Sequence, residues 1–474
     1  MSILKSTISS KVNGRKVLLI NPSMDVLYVN AKVKPSVPIY PPISLALLAG
    51  ALRSKGYEVK IFDMIPEGNT YEILKEVLAC FNPSVVGVTA TTPLINELKR
   101  IVTEVKKFNR DIITIGGGAH ISSVPEWTMK NTGLDFGVIG EGEKVLIELL
   151  SASDPKYVPG IVYRDNGLIK ITECGLKINN LDEIPKPAWD IIDLSKYRVS
   201  GTLARKNPVA GLETSRGCPY GCVYCCKSVF GKTYRVKSPE RVVDEVKDYI
   251  RAGFKEIHIL DDAFANNRER AMEICQLIAS ESMDIIFCAA NGLRVDNVDY
   301  QLLMTMKKAG FYRVAFGVET GDPEVLKHTG KGTDLDTIRR GFQLAKEVGL
   351  ETLGYFMFGL PGETEESMQR TIAFAKELEP TIAKFNITVP LPGTSLFEKW
   401  QGELSGEWAD YGYHMDGIKT PGLNEIDRDI VRTYYDRAYK SFYWRPKYIM
   451  NQLLSSIKNR TLIDYIKAAI STKW

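Results

Sequence analysis

Residues 218–225 decide the fold, and their sequence is Cys218-Pro219-Tyr220-Gly221-Cys222-Val223-Tyr224-Cys225. Three cysteines with this spacing on one loop can bind a single metal cluster, because soft thiolates select iron–sulfur clusters or zinc. A structural zinc site uses four ligands, usually in two separated pairs. No second pair of Cys or His lies nearby in the sequence, and the whole chain contains only four histidines. The spacing therefore favours an iron–sulfur cluster with one iron left open for a further ligand.

Short apolar runs alternate with amphipathic stretches in residues 1–150. Buried parallel strands are continuous apolar runs, whereas surface helices repeat with a period near 3.6 residues. The predicted strands are Val17–Ile20, Val59–Phe62, Val85–Val88, Ile112–Ile115 and Phe136–Ile139. Five such units in series predict an α/β domain with a doubly wound parallel sheet, which binds ligands at the carboxyl ends of its strands.

A second series of strands and helices follows a junction at residues 151–210. The junction contains a hairpin signal, Asp165-Asn166-Gly167, and a proline-rich linker near residues 184–189. Six strands are predicted between residues 211 and 395, which indicates a partial TIM-type (β/α)6 barrel with its chemistry at the carboxyl ends of the strands. They are Gly211–Thr214, Glu256–Leu260, Ile285–Ala289, Arg313–Gly317, Thr352–Phe358 and Ala383–Val389. Residues 396–474 form a tail that is predicted to be helical from about Glu425.

The composition is that of a globular protein. The 474 residues are 44% hydrophobic and 25% charged, which excludes large-scale disorder, a collagen-like chain and a disulfide-stapled miniprotein. The sequence has no run of about 18 uncharged apolar residues and no secretory signal, so it predicts a cytoplasmic protein without a transmembrane helix. A net charge of +4 is too small to imply a nucleic-acid partner.

The cysteine stretch follows the first predicted strand of the barrel, and in that place it resembles the signature of the radical SAM superfamily. The resemblance implies a [4Fe–4S] cluster bound by Cys218, Cys222 and Cys225. The fourth iron would bind the amino and carboxylate groups of S-adenosylmethionine (SAM), whose reductive cleavage yields methionine and a 5′-deoxyadenosyl radical. Cys226 is an additional cysteine, and we expect it to point away from the cluster.

Polar and glycine-rich motifs follow the next barrel strands in the order that the superfamily uses to bind SAM. The resemblance implies a carboxylate for the SAM ammonium after the second strand and an arginine for a carboxylate after the third. It implies ribose contacts after the fourth strand, and glycines after the fifth that let the backbone approach the adenine, on whose edge the loop tyrosine packs. The residues expected to bind SAM are Tyr224, Asp261, Asp262, Arg294, Glu319 and Gly359.

The N-terminal sheet resembles the cobalamin-binding domain that precedes the barrel in one large radical SAM branch. The matching stretches are residues 40–46, 87–89, 116–120 and 140–143. The D-x-H-x-x-G motif, which supplies a histidine to cobalt in many cobalamin proteins, is absent, so we expect cobalamin to bind without such a ligand. The resemblance implies cobalamin contacts at Ser44, Thr89, Gly116, Gly117, His120, Glu141 and Glu143. A generic nucleotide-type sheet, or one that has lost its ligand, is the alternative.

Together the two resemblances cover about residues 15–395 and imply a cobalamin-dependent radical SAM methyltransferase. The 5′-deoxyadenosyl radical would abstract hydrogen from an unactivated carbon, and the substrate radical would take a methyl group from methylcobalamin. A cyclase or other oxidative enzyme is one alternative, because residues 441–448 resemble the tail of members similar to the anaerobic magnesium-protoporphyrin ester cyclase. The other is a radical SAM enzyme whose vestigial N-terminal domain binds no cobalamin and only mediates protein interactions.

The tail leaves the substrate and partners open. A peptide, a lipid, a tetrapyrrole or a small metabolite are all compatible with the sequence, and SAM cleavage implies a low-potential electron donor such as flavodoxin or ferredoxin. Residues 431–474 contain nine Lys or Arg and two Asp or Glu, interleaved with aromatic residues. This pattern predicts a basic helix anchored on the barrel by its aromatic side chains. The alternative is a surface for an anionic partner, including a peripheral membrane contact.

Overall fold

The apolar runs of the N-terminal half form one seven-stranded sheet in the computed structural model, which describes residues 15–25, 39–67, 71–173, 175, 177–400, 408, 411 and 426–458. The strand order is β2-β1-β3-β4-β5-β6-β7, and β1 to β5 are parallel. The strands are β1 Lys16–Asn21, β2 Glu58–Asp63, β3 Val85–Thr89, β4 Ile113–Gly117, β5 Phe136–Val138, β6 Ile161–Asp165 and β7 Leu168–Ile171. The five predicted parallel strands are therefore confirmed.

Helices cover both faces of this sheet. Alternate residues of β1 pack into two different cores, with Val17 and Leu19 on one face and Leu18 and Ile20 on the other. Both faces are apolar, which explains why these strands are continuous apolar runs in the sequence. The helices of this half are Ile43–Arg53, Met64–Glu67, Tyr71–Phe81, Ile95–Phe108, Ala119–Ser123, Pro125–Thr132 and Gly142–Ser151.

The hairpin at residues 161–171 differs from its predicted place in the linker. Its strands β6 and β7 extend the first sheet in antiparallel order, beginning at β5. β5 has only three residues and would otherwise be the edge of the sheet. The hairpin pairs with it, so the backbone groups of that edge are not left unpaired. The hairpin therefore belongs to the first sheet rather than to a separate linker.

Six parallel strands form the second sheet, in the order β8-β11-β12-β13-β14-β15. Within the described residues β8 and β15 do not pair, so the sheet is an open, partial barrel, as the sequence predicts. The strands of this half are β8 Val209–Leu212, β9 Ser215–Arg216, β10 Arg235–Val236, β11 Glu256–Ile259, β12 Ile286–Leu293, β13 Phe311–Glu319, β14 Glu351–Phe358 and β15 Ile382–Ile387. The helices are Pro239–Ala252, Arg268–Ser280, Tyr300–Lys308, Pro323–His328, Leu335–Val348, Glu365–Leu378 and Ser395–Trp400.

The tail covers the open edge of the barrel at β15 with two helices, Arg428–Tyr443 and Pro446–Lys458. Tyr443 Oη donates to the Ala383 carbonyl at 2.7 Å, and Tyr439 Oη donates to the Phe385 carbonyl at 3.1 Å. These hydroxyls occupy backbone groups that no neighbouring strand reaches. The predicted aromatic anchoring of the tail on the barrel is confirmed, and one of its basic residues, Lys447, pairs with Glu379 at 2.7 Å.

The last helix also presents an apolar face to solvent. Its exposed residues are Ile449, Met450, Leu453, Leu454 and Ile457. No helix among the described residues is both long enough and apolar enough to cross a membrane.

A buried cluster of charges joins the first sheet to the barrel. Arg216, on β9, is 1% exposed and donates to Glu141 at 2.8 Å, to Glu143 at 2.5 Å and to Glu213 at 2.6 Å. Arg235, on β10, lies 2.6 Å from the second oxygen of Glu141. Burial raises the pKa of Glu143, but the neighbouring Arg216 outweighs this effect and lowers the pKa below its usual value. Because Glu141 and Glu143 follow β5, this cluster fixes the barrel against the N-terminal domain.

Replacing Arg216 tests the energetic weight of this cluster. We expect Arg216→Met to lower the free energy of unfolding by about 3–5 kcal/mol, because it leaves buried carboxylates without their main counter-charge. Urea unfolding of the cofactor-free protein measures the change. Arg339→Met removes an exposed ion pair with Asp336 and is the matched control, with an expected loss below about 1 kcal/mol. Equal losses for the two variants would contradict the assignment.

Candidate active site

The loop between β9 and β10 carries the cysteine stretch at the carboxyl end of the barrel. Antiparallel pairing of β9 with β10 closes the base of the loop. Gly217 begins the loop with a φ of +81°, and a Cβ at this position would lie 2.2 Å from the Thr233 carbonyl oxygen. Only glycine fits there. The amide of Val223 donates to the Thr329 carbonyl at 3.0 Å, which ties the middle of the loop to the barrel.

The thiols of this loop form the donor set predicted for the cluster. Desolvation, together with the neighbouring Cys222 and Cys218 sulfurs, raises the pKa of Cys225 to about 12. Burial and neighbouring negative charge both disfavour the thiolate, whereas a nearby cation favours it. In the described parts of the chain, no three His, Cys, Asp or Glu side chains are placed to hold a single metal ion. Three cysteines that each bind a different iron need not converge on one point, so the donor set fits a [4Fe–4S] cluster.

Cys226 contacts the N-terminal domain. Its sulfur lies 3.4 Å from Ser228 Oγ and 3.6 Å from Ser123 Oγ, and Ser123 donates to Ser228 at 2.8 Å. Ser123 ends the helix that follows β4. The cysteine loop therefore touches the carboxyl edge of the first sheet, which is the edge where such sheets bind ligands.

The two aspartates after β11 have different surroundings. Asp261 is buried, and its oxygens accept hydrogen bonds from the Thr214 amide at 2.6 Å, from Thr214 Oγ1 at 2.5 Å and from Ser215 Oγ at 2.7 Å. These bonds hold the end of β8 and occupy the carboxylate that was expected to contact SAM. Asp262 is exposed and contributes to raising the pKa of Cys218. The prediction of a carboxylate for the SAM ammonium therefore rests on Asp262.

Arg294 lies against the cysteine loop. Its guanidinium carbon is 3.6 Å from the centre of the Tyr220 ring. It donates to the carboxylate of Asp296 at 2.7 Å and 3.0 Å. Tyr220 belongs to the cysteine stretch, so this cation–π contact steadies the loop beside the predicted SAM site.

A lysine that the sequence analysis did not identify pairs with the carboxylate at the end of β13. Glu319 has a φ of +68° and pairs with Lys331 at 2.6 Å, and Lys331 also donates to the Gly317 carbonyl at 2.7 Å. Burial, and after it the Glu319 carboxylate, raises the pKa of Tyr224. Lys331 was missed because it is far from any motif.

Gly359 stands at the end of β14 in a turn held by an acidic side chain. It has a φ of +81°, and its amide donates to the carboxylate of Glu363. Burial raises the pKa of Glu363 to about 8. Glu363 follows Gly359 closely in the same motif, so the sequence contained this partner, but its position alone did not indicate a role.

The carboxyl edge of the first sheet is lined by small residues. Ser44 is exposed and Thr89 is partly exposed at this edge. A Cβ at Gly117 would meet no atom of the described residues within 4 Å, whereas a Cβ at Gly116 would press on Leu134 at 2.5 Å. Packing against Leu134 therefore requires glycine at position 116. At Gly117 the described residues leave room that a bulky ligand could occupy.

His120 is fully buried at the same edge. It packs between Trp127 and Trp408, with ring centres 5.6 Å and 5.2 Å away, and its Nδ1 lies 3.2 Å from Thr92 Oγ1. Burial lowers the pKa of His120 to about 4, so the imidazole is neutral at pH 7. Its Nε2 has no hydrogen-bond partner among the described residues. The two indole rings enclose the imidazole, so its predicted contact with cobalamin remains a prediction.

Glu141 and Glu143 have a different environment from the one expected. Both were expected to contact cobalamin, but both carboxylates are buried and bind Arg216. The sequence could not indicate this, because Arg216 is more than 70 residues away in the chain. A cobalamin contact remains a prediction for the backbone of this turn and for Ser44, Thr89, Gly117 and His120.

Comparison with known proteins agrees with this division of the chain. Residues 212–375 match the radical SAM superfamily, and residues 32–150 match the B12 binding domain. An uncharacterised methyltransferase of Pyrococcus horikoshii, PH0819, is 34% identical over 87% of this chain and 90% of its own length. The anaerobic magnesium-protoporphyrin IX monomethyl ester cyclase of Rubrivivax gelatinosus is 29% identical over 89% of this chain and 79% of its own length.

Two solved structures share the fold. The radical SAM methyltransferase TsrM from Kitasatospora setae, solved with cobalamin and a [4Fe–4S] cluster bound, superposes with a TM-score of 0.68 at 23% identity, covering 83% of this chain and 76% of its own. The cobalamin-dependent radical SAM enzyme OxsB superposes with a TM-score of 0.72 at 19% identity, covering 98% and 72%. The two matched domains give this enzyme a [4Fe–4S] cluster, SAM and cobalamin as cofactors. The chain belongs to the cobalamin-dependent radical SAM methyltransferase family.

Proposed function

We propose that this enzyme transfers a methyl group to an unactivated carbon of its substrate. The observation that carries the proposal is the contact between the cysteine loop and the carboxyl edge of the first sheet, through Cys226, Ser123 and Ser228. A cluster on the loop and a cobalamin on that edge would face one shared space. Methyl transfer from one cofactor to a radical generated at the other requires such proximity.

The chain's own residues supply binding and orientation in this scheme. When bound, the cluster and SAM supply a 5′-deoxyadenosyl radical, and cobalamin supplies a transferable methyl group. Cys218, Cys222 and Cys225 would hold the cluster, and Asp262 would accept hydrogen bonds from the SAM ammonium. Arg216 holds the base of the cysteine loop against the N-terminal domain through its ion pairs with Glu141 and Glu143. Electrons enter from a low-potential donor of the flavodoxin or ferredoxin type.

A cyclase is the second candidate, because the Rubrivivax cyclase matches along 89% of this chain. The chemistry of the two candidates differs in the use of SAM. A methyltransferase consumes SAM both as a methyl donor and as a radical source, whereas a cyclase needs only the radical. We favour methyl transfer because the relative with the higher identity, at 34%, carries a methyltransferase name.

Cysteine replacements test the cluster assignment. We expect Cys218→Ala, Cys222→Ala and Cys225→Ala each to abolish both bound cluster iron and 5′-deoxyadenosine formation, because each removes one of three ligands. Cys226→Ala is the matched control and retains both, since its sulfur faces Ser123. Iron analysis of the reconstituted proteins and chromatography of the products provide the measurements. Loss of iron from the Cys226→Ala protein would show that the ligand set is misassigned.

The fate of SAM separates methyl transfer from cyclisation. A metabolite extract from a deletion strain, in which unmodified substrate accumulates, is incubated with enzyme, reductant and methyl-labelled SAM. We expect the label to enter one extract molecule, with S-adenosylhomocysteine and 5′-deoxyadenosine formed in comparable amounts. The Cys222→Ala protein is the control. Formation of 5′-deoxyadenosine with little S-adenosylhomocysteine and no transferred label would favour the cyclase.

A further inference from the structure

Some side chains above an apolar floor inside the barrel are partly exposed. Ala315, Leu353 and Ile382, on β13, β14 and β15, pack with Leu203 of the loop before β8 and form this floor. Above this floor, the inward-facing residues of β14 and β15 stay partly exposed, whereas the residues between them are buried against the outer helices. The partly exposed residues are Tyr355, Met357, Lys384 and Asn386. These four side chains are therefore not fully packed by the described residues.

Lys384 is the charged residue of the layer directly above the floor. It follows Ile382 by two residues on β15 and lies opposite Tyr355 in the register of β14 and β15. Its Nζ is 6.0 Å from the centre of the Tyr355 ring. Tyr355 crosses the barrel and donates from its hydroxyl to the Ala290 carbonyl at 2.7 Å, so that hydroxyl is already committed. The lysine thus stands directly above the floor, beside this tyrosine.

Within the described residues, the Lys384 ammonium has no ion pair and no hydrogen-bond acceptor. The carboxylates of the adjoining layers are already in use. Below, Glu351 is shared by Arg313 at 2.7 Å and Arg205 at 2.6 Å. Above, Glu319 pairs with Lys331 at 2.6 Å. Lys384 is therefore a cation for which the described structure supplies no counter-ion.

An uncompensated charge in such a place costs free energy unless a ligand neutralises it. Burial, followed by the nearby charge of Arg313, lowers the pKa of Lys384 below its usual value. An anion beside the Nζ would reverse this effect, because an opposite charge favours the protonated amine. Structural lysines of this chain, such as Lys237 with Glu245 at 2.8 Å, have their carboxylate built in.

We propose that Lys384 binds an anionic group of the substrate, a carboxylate or a phosphate, at the floor of the barrel. The proposal rests on the proposed function only in taking the barrel interior as the substrate site. Lys384 precedes the end of β15 by three residues, which is about 10 Å along the strand. The substrate class is thus a molecule whose anionic end lies about that far from the reacting carbon.

Chemical labelling of the wild-type holoenzyme tests the proposal without any variant. A trace of an amine-acetylating reagent modifies accessible lysines, and mass spectrometry quantifies acetylation at Lys384. We expect heptanoate or heptyl phosphate to slow this acetylation several-fold, because a paired ammonium is not nucleophilic, and heptanol to have no such effect. Lys376, on the outer helix Glu365–Leu378, is the internal control. Equal protection by heptanol, or no protection by either anion, would overturn the proposal.

Substitutions give the second measurement, calorimetric binding of the same probes to the reconstituted enzyme. We expect Lys384→Gln to weaken binding of the anionic probe about tenfold, equivalent to about 1.4 kcal/mol. Lys384→Arg should keep most of the affinity, and Lys376→Gln should keep all of it. Tighter binding of heptanoate would identify the anionic group of the substrate as a carboxylate, and tighter binding of heptyl phosphate would identify it as a phosphate. Affinity unchanged in Lys384→Gln would overturn the proposal, and because no turnover is measured, failure of methyl transfer would leave it standing.

Discussion

The buried guanidinium of Arg216 is the interaction on which the active-site arrangement depends. It stands two residues before the first cluster cysteine and binds two carboxylates that follow β5 of the other domain. Three buried carboxylates near one another repel unless a cation lies among them, so the domains are most stable in the one arrangement that places Arg216 there. The base of the cysteine loop and the ligand edge of the first sheet are thereby fixed together.

An open barrel is the second constraint. Six strands do not close into a ring, and an unpaired edge exposes backbone groups. The tail resolves this at β15, where tyrosine hydroxyls bind the free carbonyls of Ala383 and Phe385. Above the floor formed with Leu203, side chains of β14 and β15 stay partly exposed. Lys384 gives this part of the barrel a charged residue, which we propose binds the substrate.

The sequence predicted what is local or periodic and missed what depends on distant partners. The parallel strands followed from continuous apolar runs, and the cysteine loop from its spacing. The hairpin was recognised, but its pairing with β5 was not, because a turn signal does not identify a neighbouring strand. Glu141 and Asp261 were identified as polar residues at strand ends, yet their partners Arg216 and Thr214 lie 75 and 47 residues away. From the sequence alone, a carboxylate at such a position is as compatible with a partner inside the protein as with a ligand.

The distance between the cluster and the cobalamin cobalt tests the central claim most directly. Pulsed electron paramagnetic resonance measures it in the reconstituted enzyme with the cluster reduced and the cobalt paramagnetic. If Arg216 fixes the two domains, the wild-type protein and the Arg339→Met control will each give one narrow distance distribution, and Arg216→Met will give a broad one. An equally narrow distribution in the Arg216→Met protein would contradict the claim that this charge cluster positions the two cofactors.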